Sequence, residues 1–137
     1  MTPSRTNYSY TIEMKVRDYE CDLQGVVNNA HYQHYMEHAR HEYLESLGGS
    51  FQQWHRQGLD AMVARIEIDY KRPLRSGDKF WVGICTRREG AKLIFQQDLF
   101  LSSNNTIVAQ AKVHVVMVRN GCITRGQEFE ELFPTKP

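Results

Sequence analysis

Cysteine is scarce in this chain: Cys21, Cys85 and Cys122 are its three, an odd number with no Cys-x-x-Cys pair. That argues against a disulfide framework or a zinc knuckle and reads as three reduced thiols. A surplus of charge is missing too. Lys and Arg number 17 against 16 Asp and Glu, a net charge of +1, so there is no bulk attraction to nucleic acid or to an anionic membrane, and any basic site must be local. No apolar run is long enough to span a bilayer, and the first eight residues hold no apolar stretch of signal-peptide length, so the expected compartment is the cytoplasm. There is no internal repeat and no low-complexity tract. The 137 residues are the length of one ordinary domain, expected to span 1–137 as a single unit able to bury a real core.

Within that length the periodicities are legible. Tyr8, Tyr10, Ile12, Met14 and Val16 alternate with Ser9, Thr11, Glu13, Lys15 and Arg17, the two-residue period of a half-buried strand. Tyr32, Tyr35, Met36, Ala39, Tyr43 and Leu47 recur at three and four, one face of a helix from about Asn29 to Leu47 that Gly48-Gly49 ends. Ser50 caps a short second helix over Phe51 to Gln57. Four strand-like runs follow: Met62 to Tyr70, Lys79 to Arg88, Lys92 to Leu101 and Ile107 to Val118. The turns between them, at Pro73 with Gly77-Asp78, at Glu89-Gly90-Ala91 and at Ser102 to Asn105, are short enough for hairpins, which predicts a four-stranded antiparallel meander. One helix with an apolar stripe and one curved five-stranded sheet satisfy each other's burial if the sheet wraps the helix, so the expected class is α+β. The tail from Gly126 to Pro137 fits two outcomes, a short packed closing segment or a frayed end.

The chemistry concentrates before the long helix. In Asp22-Leu23-Gln24-Gly25-Val26-Val27-Asn28-Asn29-Ala30-His31-Tyr32 one lone acid and a glycine turn precede a helix start. A helix start exposes unpaired N–H groups and the positive end of the macrodipole, which polarise a carbonyl oxygen, while a carboxylate one turn earlier can act as base or nucleophile. The pairing suggests acyl-group chemistry. The plainer reading of the same residues is a cap by Asp22 or Asn28 and a turn made by Gly25. Cys21 beside Asp22 has no obvious base and reads as structural.

The segment Tyr19 to Tyr32, followed by Tyr35, Glu37 and Arg40, resembles the hotdog-fold acyl-CoA thioesterases of the 4-hydroxybenzoyl-CoA thioesterase type. A second piece agrees: Ile68-Asp69-Tyr70-Lys71-Arg72-Pro73-Leu74-Arg75-Ser76-Gly77-Asp78 is similar to that family's strand, Pro turn and Gly-Asp turn. The resemblance runs from the first strand to about Arg119 and implies a hotdog domain. It also implies hydrolysis of an acyl thioester, carried by coenzyme A or acyl carrier protein, with no metal and no cofactor, in a homodimer or dimer of dimers.

Carried over to this chain, the resemblance makes Asp22 the catalytic base or nucleophile, with the two roles left open. Some relatives carry histidine where Asn29 stands, so here Asn29 contributes a hydrogen-bonding side chain or only its amide. Gly25, Val27, Asn28 and Tyr32 would contact substrate, although Tyr32 also belongs to the apolar stripe, and Glu37 reads equally as a salt-bridge or interface residue. Arg87, Arg88 and Lys92 are the first choice for coenzyme A phosphates, with Lys71, Arg72 and Arg75 as the second cluster. His31, His34, His38 and His41 form one stripe on the opposite helix face, which reads as a packing or pH-sensitive face before a metal site. Three rivals remain: a non-catalytic acyl-thioester binding or sensing module, a hotdog dehydratase or hydratase, which the missing histidine at Asn29 disfavours, and a metal binder built on the histidine stripe.

Overall fold

The computed structural model describes residues 4–133. Strand β1 (Tyr10–Lys15) is followed by helix α1 (Asn29–Ser46), short helix α2 (Phe51–Arg56), and strands β2 (Leu59–Tyr70), β3 (Lys79–Glu89), β4 (Lys92–Leu101) and β5 (Ile107–Arg119). A two-residue strand β6 (Cys122–Ile123) and a last short helix α3 (Gln127–Leu132) close the chain. All pairings are antiparallel, in the order β1-β3-β4-β5-β2, with β6 on β5. The sheet curls around α1, whose Tyr32, Tyr35, Met36, Ala39, Tyr43 and Leu44 meet Phe80, Val82, Leu93, Phe95, Leu99 and Val113 in one core. This is the expected α+β hotdog arrangement.

The meander needs correction. β3, β4 and β5 are joined by hairpins as expected, but β2 pairs with β5 and β3 with β1, so the β2–β3 connection crosses the sheet from the β2 edge to β3, the strand beside the opposite edge strand β1. The reason is in the Lys71–Asp78 segment. The amides of Lys71 and Arg72 both reach the Val108 carbonyl (2.8 and 3.1 Å), Pro73 has no N–H to continue the ladder, and Leu74 is then drawn fully into the core under α1. The strands also differ in length from the alternation: β1 is shorter than Tyr8 to Arg17, and β2 begins at Leu59.

The tail packs. Gly126, at φ +82°, starts α3 and has Phe129 and Phe133 buried behind it; the tail's last four residues lie outside the described residues. On the convex face, Tyr8 lies over Gly83, where a Cβ would stand 2.5 Å from the ring, and donates its hydroxyl to Asp98 at 2.7 Å.

Candidate active site

Everything around the start of α1 is tied down except the groups that face outward. After β1, a single helical turn over Asp18–Glu20 buries Glu20. Its Oε1 accepts from the Arg17 amide (2.7 Å) and from the Tyr35 hydroxyl (3.0 Å). Burial first and this bond second raise the Tyr35 phenol far above its ordinary range. Asp22 to Gly25 then form a tight turn: the Gly25 amide returns to the Asp22 carbonyl at 3.0 Å, and Gly25 sits at φ +78°, where glycine is unstrained. Asp22 Oδ1 accepts the Gln24 amide at 2.9 Å. The carboxylate is exposed and its second oxygen has no partner among the described residues.

The two stretches that carried the resemblance meet here. Val26 bridges to Arg75, the Val27 amide donates to the Leu74 carbonyl (2.8 Å), and the buried Tyr32 hydroxyl accepts the Leu74 amide (3.0 Å). Tyr32 and Val27 are therefore core residues that position the loop. The Gly77-Asp78 turn is knitted to the end of β1, with Val16 donating to Asp78 and Gly77 to Val16.

Asn28 caps the helix: its side-chain oxygen accepts the Ala30 amide at 3.0 Å and its carbonyl takes the His31 amide at 2.9 Å. The cap reading holds for Asn28, whereas Asp22 bonds within its own turn and does not reach the helix. Among the described residues the Asn29 amide donates to no partner and remains an open donor at the positive end of α1. The Asn29 carbonyl receives the Tyr70 hydroxyl at 3.3 Å, which joins the helix start to the end of β2.

The two cationic clusters separate. Lys71, Arg72 and Arg75 flank the Asp22 loop, and their side chains form no ion pair among the described residues. Arg87, Arg88 and Lys92 stand at the far end of β3, about 30 Å along the strand from its first residue. Arg87 pairs with Glu89 (2.8 Å), while Arg88 donates to the carbonyls of Gly90 and Arg125 (both 2.9 Å) and pairs with Glu130 (3.1 Å). Arg88 thus clamps α3 to the β3–β4 turn.

The histidine stripe is a surface. His34, His38 and His41 are exposed and His31 half-buried; the Nδ1 atoms of His31 and His34 approach to 3.5 Å. Among the described residues no three His, Cys, Asp or Glu side chains are arranged to hold a metal ion, and no helix is long and apolar enough to cross a membrane.

Sequence reasoning passed over a second polar feature. Arg40, on the apolar stripe of α1, is 7 % exposed. Its Nη1 donates to Gln97 Oε1 (2.9 Å), and Gln97 Nε2 donates to the Met36 carbonyl (3.0 Å). Gln97 stands in the inward register of β4 between Phe95 and Leu99, and that polar residue in an apolar phase was the available signal. Burial pulls the guanidinium down to about 10, against the pull of nearby Glu37.

An antiparallel sheet curled around one long helix, with an acid loop at that helix's start, defines a hotdog protein of the thioesterase type. The chain belongs to the Thioesterase-like superfamily, which matches residues 16–131. It is 38% identical over 112 residues to the acyl-acyl carrier protein thioesterase ATL3, chloroplastic, of Arabidopsis thaliana, covering 81% of this chain and 59% of that relative. This chain thus spans about three fifths of the plant protein's length. It is 31% identical over 107 residues to the long-chain acyl-CoA thioesterase FadM of Escherichia coli, covering 77% of this chain and 80% of the relative. A thioesterase from Thermus thermophilus, solved with coenzyme A and Zn, superposes with a TM-score of 0.78 at 27% identity over 93% of this chain and 99% of the other.

Proposed function

We propose that this protein hydrolyses acyl thioesters of coenzyme A or acyl carrier protein, releasing the free acid and the thiol. The observation that carries the reading is the open Asn29 amide at the head of an 18-residue helix, beside a loop that presents an exposed carboxylate, in a chain of this family. The thioester carbonyl oxygen lies against the Asn29 amide, where the helix end stabilises the charge that develops on it; such a donor contributes about 3–4 kcal/mol in enzymes that use one. Asp22 then takes one of two roles. As base it removes a proton from water, whose oxygen adds to the carbonyl carbon before the C–S bond breaks. As nucleophile its oxygen attacks that carbon, the thiolate leaves, and water cleaves the resulting anhydride.

A second copy completes the site. β2 is an edge strand over its whole length, and Met62, Val63, Ile66 and Tyr70 stay 36–52 % exposed along it, a ledge that a monomer leaves wet. Pairing two β2 strands antiparallel about a two-fold axis places the Leu59–Val63 end of one copy beside the Tyr70 end, and so the helix start, of the other. Carrier phosphates are taken by Lys71, Arg72 and Arg75 beside the acid loop. The partner copy's β3–β4 turn, with its Arg87, Arg88 and Lys92, faces the same end.

Thiol release from a panel of acyl-CoAs and acyl carrier proteins, wild type against Asp22→Asn, tests this. Expected is release by the wild type that falls by about 10²–10⁴-fold in the variant, with binding retained. Single turnover in ¹⁸O-water tests the nucleophile route, because label in the Asp22 carboxylate requires an anhydride that water opens at the Asp22 carbonyl. Undiminished turnover by the variant would falsify the assignment of Asp22, and binding without any release favours a sensing module.

A further inference from the structure

Arg40 is a buried cation that forms no ion pair among the described residues, with Glu37 near enough to favour its charge but not bonded to it. No carboxylate pairs with it among the described residues, and its one partner is the neutral amide of Gln97, which leaves most of its five N–H donors unused. A mostly buried guanidinium with most of its donors unbonded is costly, and such groups recur where a ligand supplies further acceptors.

The space beside it fits that role. Arg40 lines a cavity of about 270 Å³ between α1, α2 and the Leu59–Val63 end of β2, walled by Phe51, Phe95, Phe129, Phe133 and Met62. An apolar chamber with one strong donor set is the usual construction of a small-molecule pocket. Glu37 lines the same cavity without forming an ion pair with Arg40. Its charge opposes a carboxylate guest, whereas a ketone accepts from Arg40, and a hydroxyl both accepts from Arg40 and donates to Glu37. The cavity lies about 16 Å along α1 from its own Asn29, at about 1.5 Å per residue. Across a two-fold β2 pairing, however, it faces the helix start of the other copy.

We infer that Arg40, held by Gln97, is an acyl-recognition residue that binds a neutral oxygen, ketone or hydroxyl, on the acyl group of a thioester whose carbonyl is held by the partner copy's Asp22 loop. This rests on the thioesterase reading and on the two-fold pairing. It assigns the substrate class as oxygenated acyl thioesters and makes each site a product of two chains.

The test pairs acyl-CoAs matched in carbon number, with and without a single hydroxyl or ketone, on aliphatic and aryl acyl groups, read both as turnover and as equilibrium binding. Expected is a wild-type preference for at least one oxygenated member over its plain analogue of about tenfold or more, which Arg40→Met removes by losing affinity and kcat/KM on the oxygenated member. Equal handling of every matched pair by the wild type overturns the inference, as does a preference confined to acyl groups ending in a carboxylate. The wild-type ratio decides this even if the variant does not fold. Absence of hydrolysis with the binding preference intact overturns the thioesterase reading and leaves only the recognition of the acyl oxygen by Arg40.

Mixing Asp22→Asn with Arg40→Met tests the shared site. If the two residues come from different chains, random reassortment restores one intact site per mixed dimer and about a quarter of wild-type activity on the preferred substrate. Reassortment without restoration overturns the two-chain site.

Discussion

Single residues around the head of α1 divide into those that shape the loop and those proposed to face substrate. Asn28 belongs to the first kind, and replacing it with alanine is expected to cost about 0.5–2 kcal/mol of stability, read from urea unfolding, and to lower turnover because the cap fixes where the Asn29 amide points. Gly83 is a packing constraint: a Cβ there would meet the Tyr8 ring at 2.5 Å. Gly83→Ala is expected to destabilise by about 1–3 kcal/mol. The same change in a Tyr8→Ala background should cost markedly less, a non-additivity that a double-mutant cycle measures. Asp22, Gly25 and Asn28 were readable from sequence because a turn glycine and a cap must lie next to the helix they serve. Arg40 and Gln97 were not, since they are 57 positions apart and only the packing of α1 on β4 makes them neighbours.

Among the elements, α3 matters beyond its size, because its Phe129 and the residue that follows it, Phe133, wall the Arg40 cavity. It is held by Arg88 from the β3–β4 turn and by Glu128. Burial works to raise the Glu128 carboxyl, but bonds from its own amide, Thr124 and Arg119 outweigh it and hold the group below the ordinary 4.5. A carboxyl lower in the folded than in the unfolded chain contributes stability that is complete above the unfolded value and is lost as pH falls through the folded one. Exchange at the Phe129 amide is therefore expected to quicken, after correction for its intrinsic pH dependence, as pH drops below about 4.5, and Glu128→Gln should remove that dependence. The β2–β3 crossover was misread as a hairpin because turn residues announce that a strand ends without saying which edge the next one joins.

For the whole molecule, the long exposed edge of β2 is the proposed seam between two copies. Ile66→Asp puts a charge in the middle of the ledge and is expected to shift a dimer to monomer by light scattering, with thioester hydrolysis falling alongside while the helical circular dichroism is retained. A monomer with full activity would contradict a site shared between copies.

The periodicities, the glycine turns and the two local motifs determined the helix, the strands, the fold class and the acid loop, because each depends on residues a few positions apart, where the dihedral preferences and hydrogen bonds act. The order of strands, the closing helix, the separation of the two cationic clusters and the buried Arg40–Gln97 pair were decided by tertiary structure alone. Those features follow from which surfaces find each other when the sheet closes on α1, and that choice is set by burial across the whole domain.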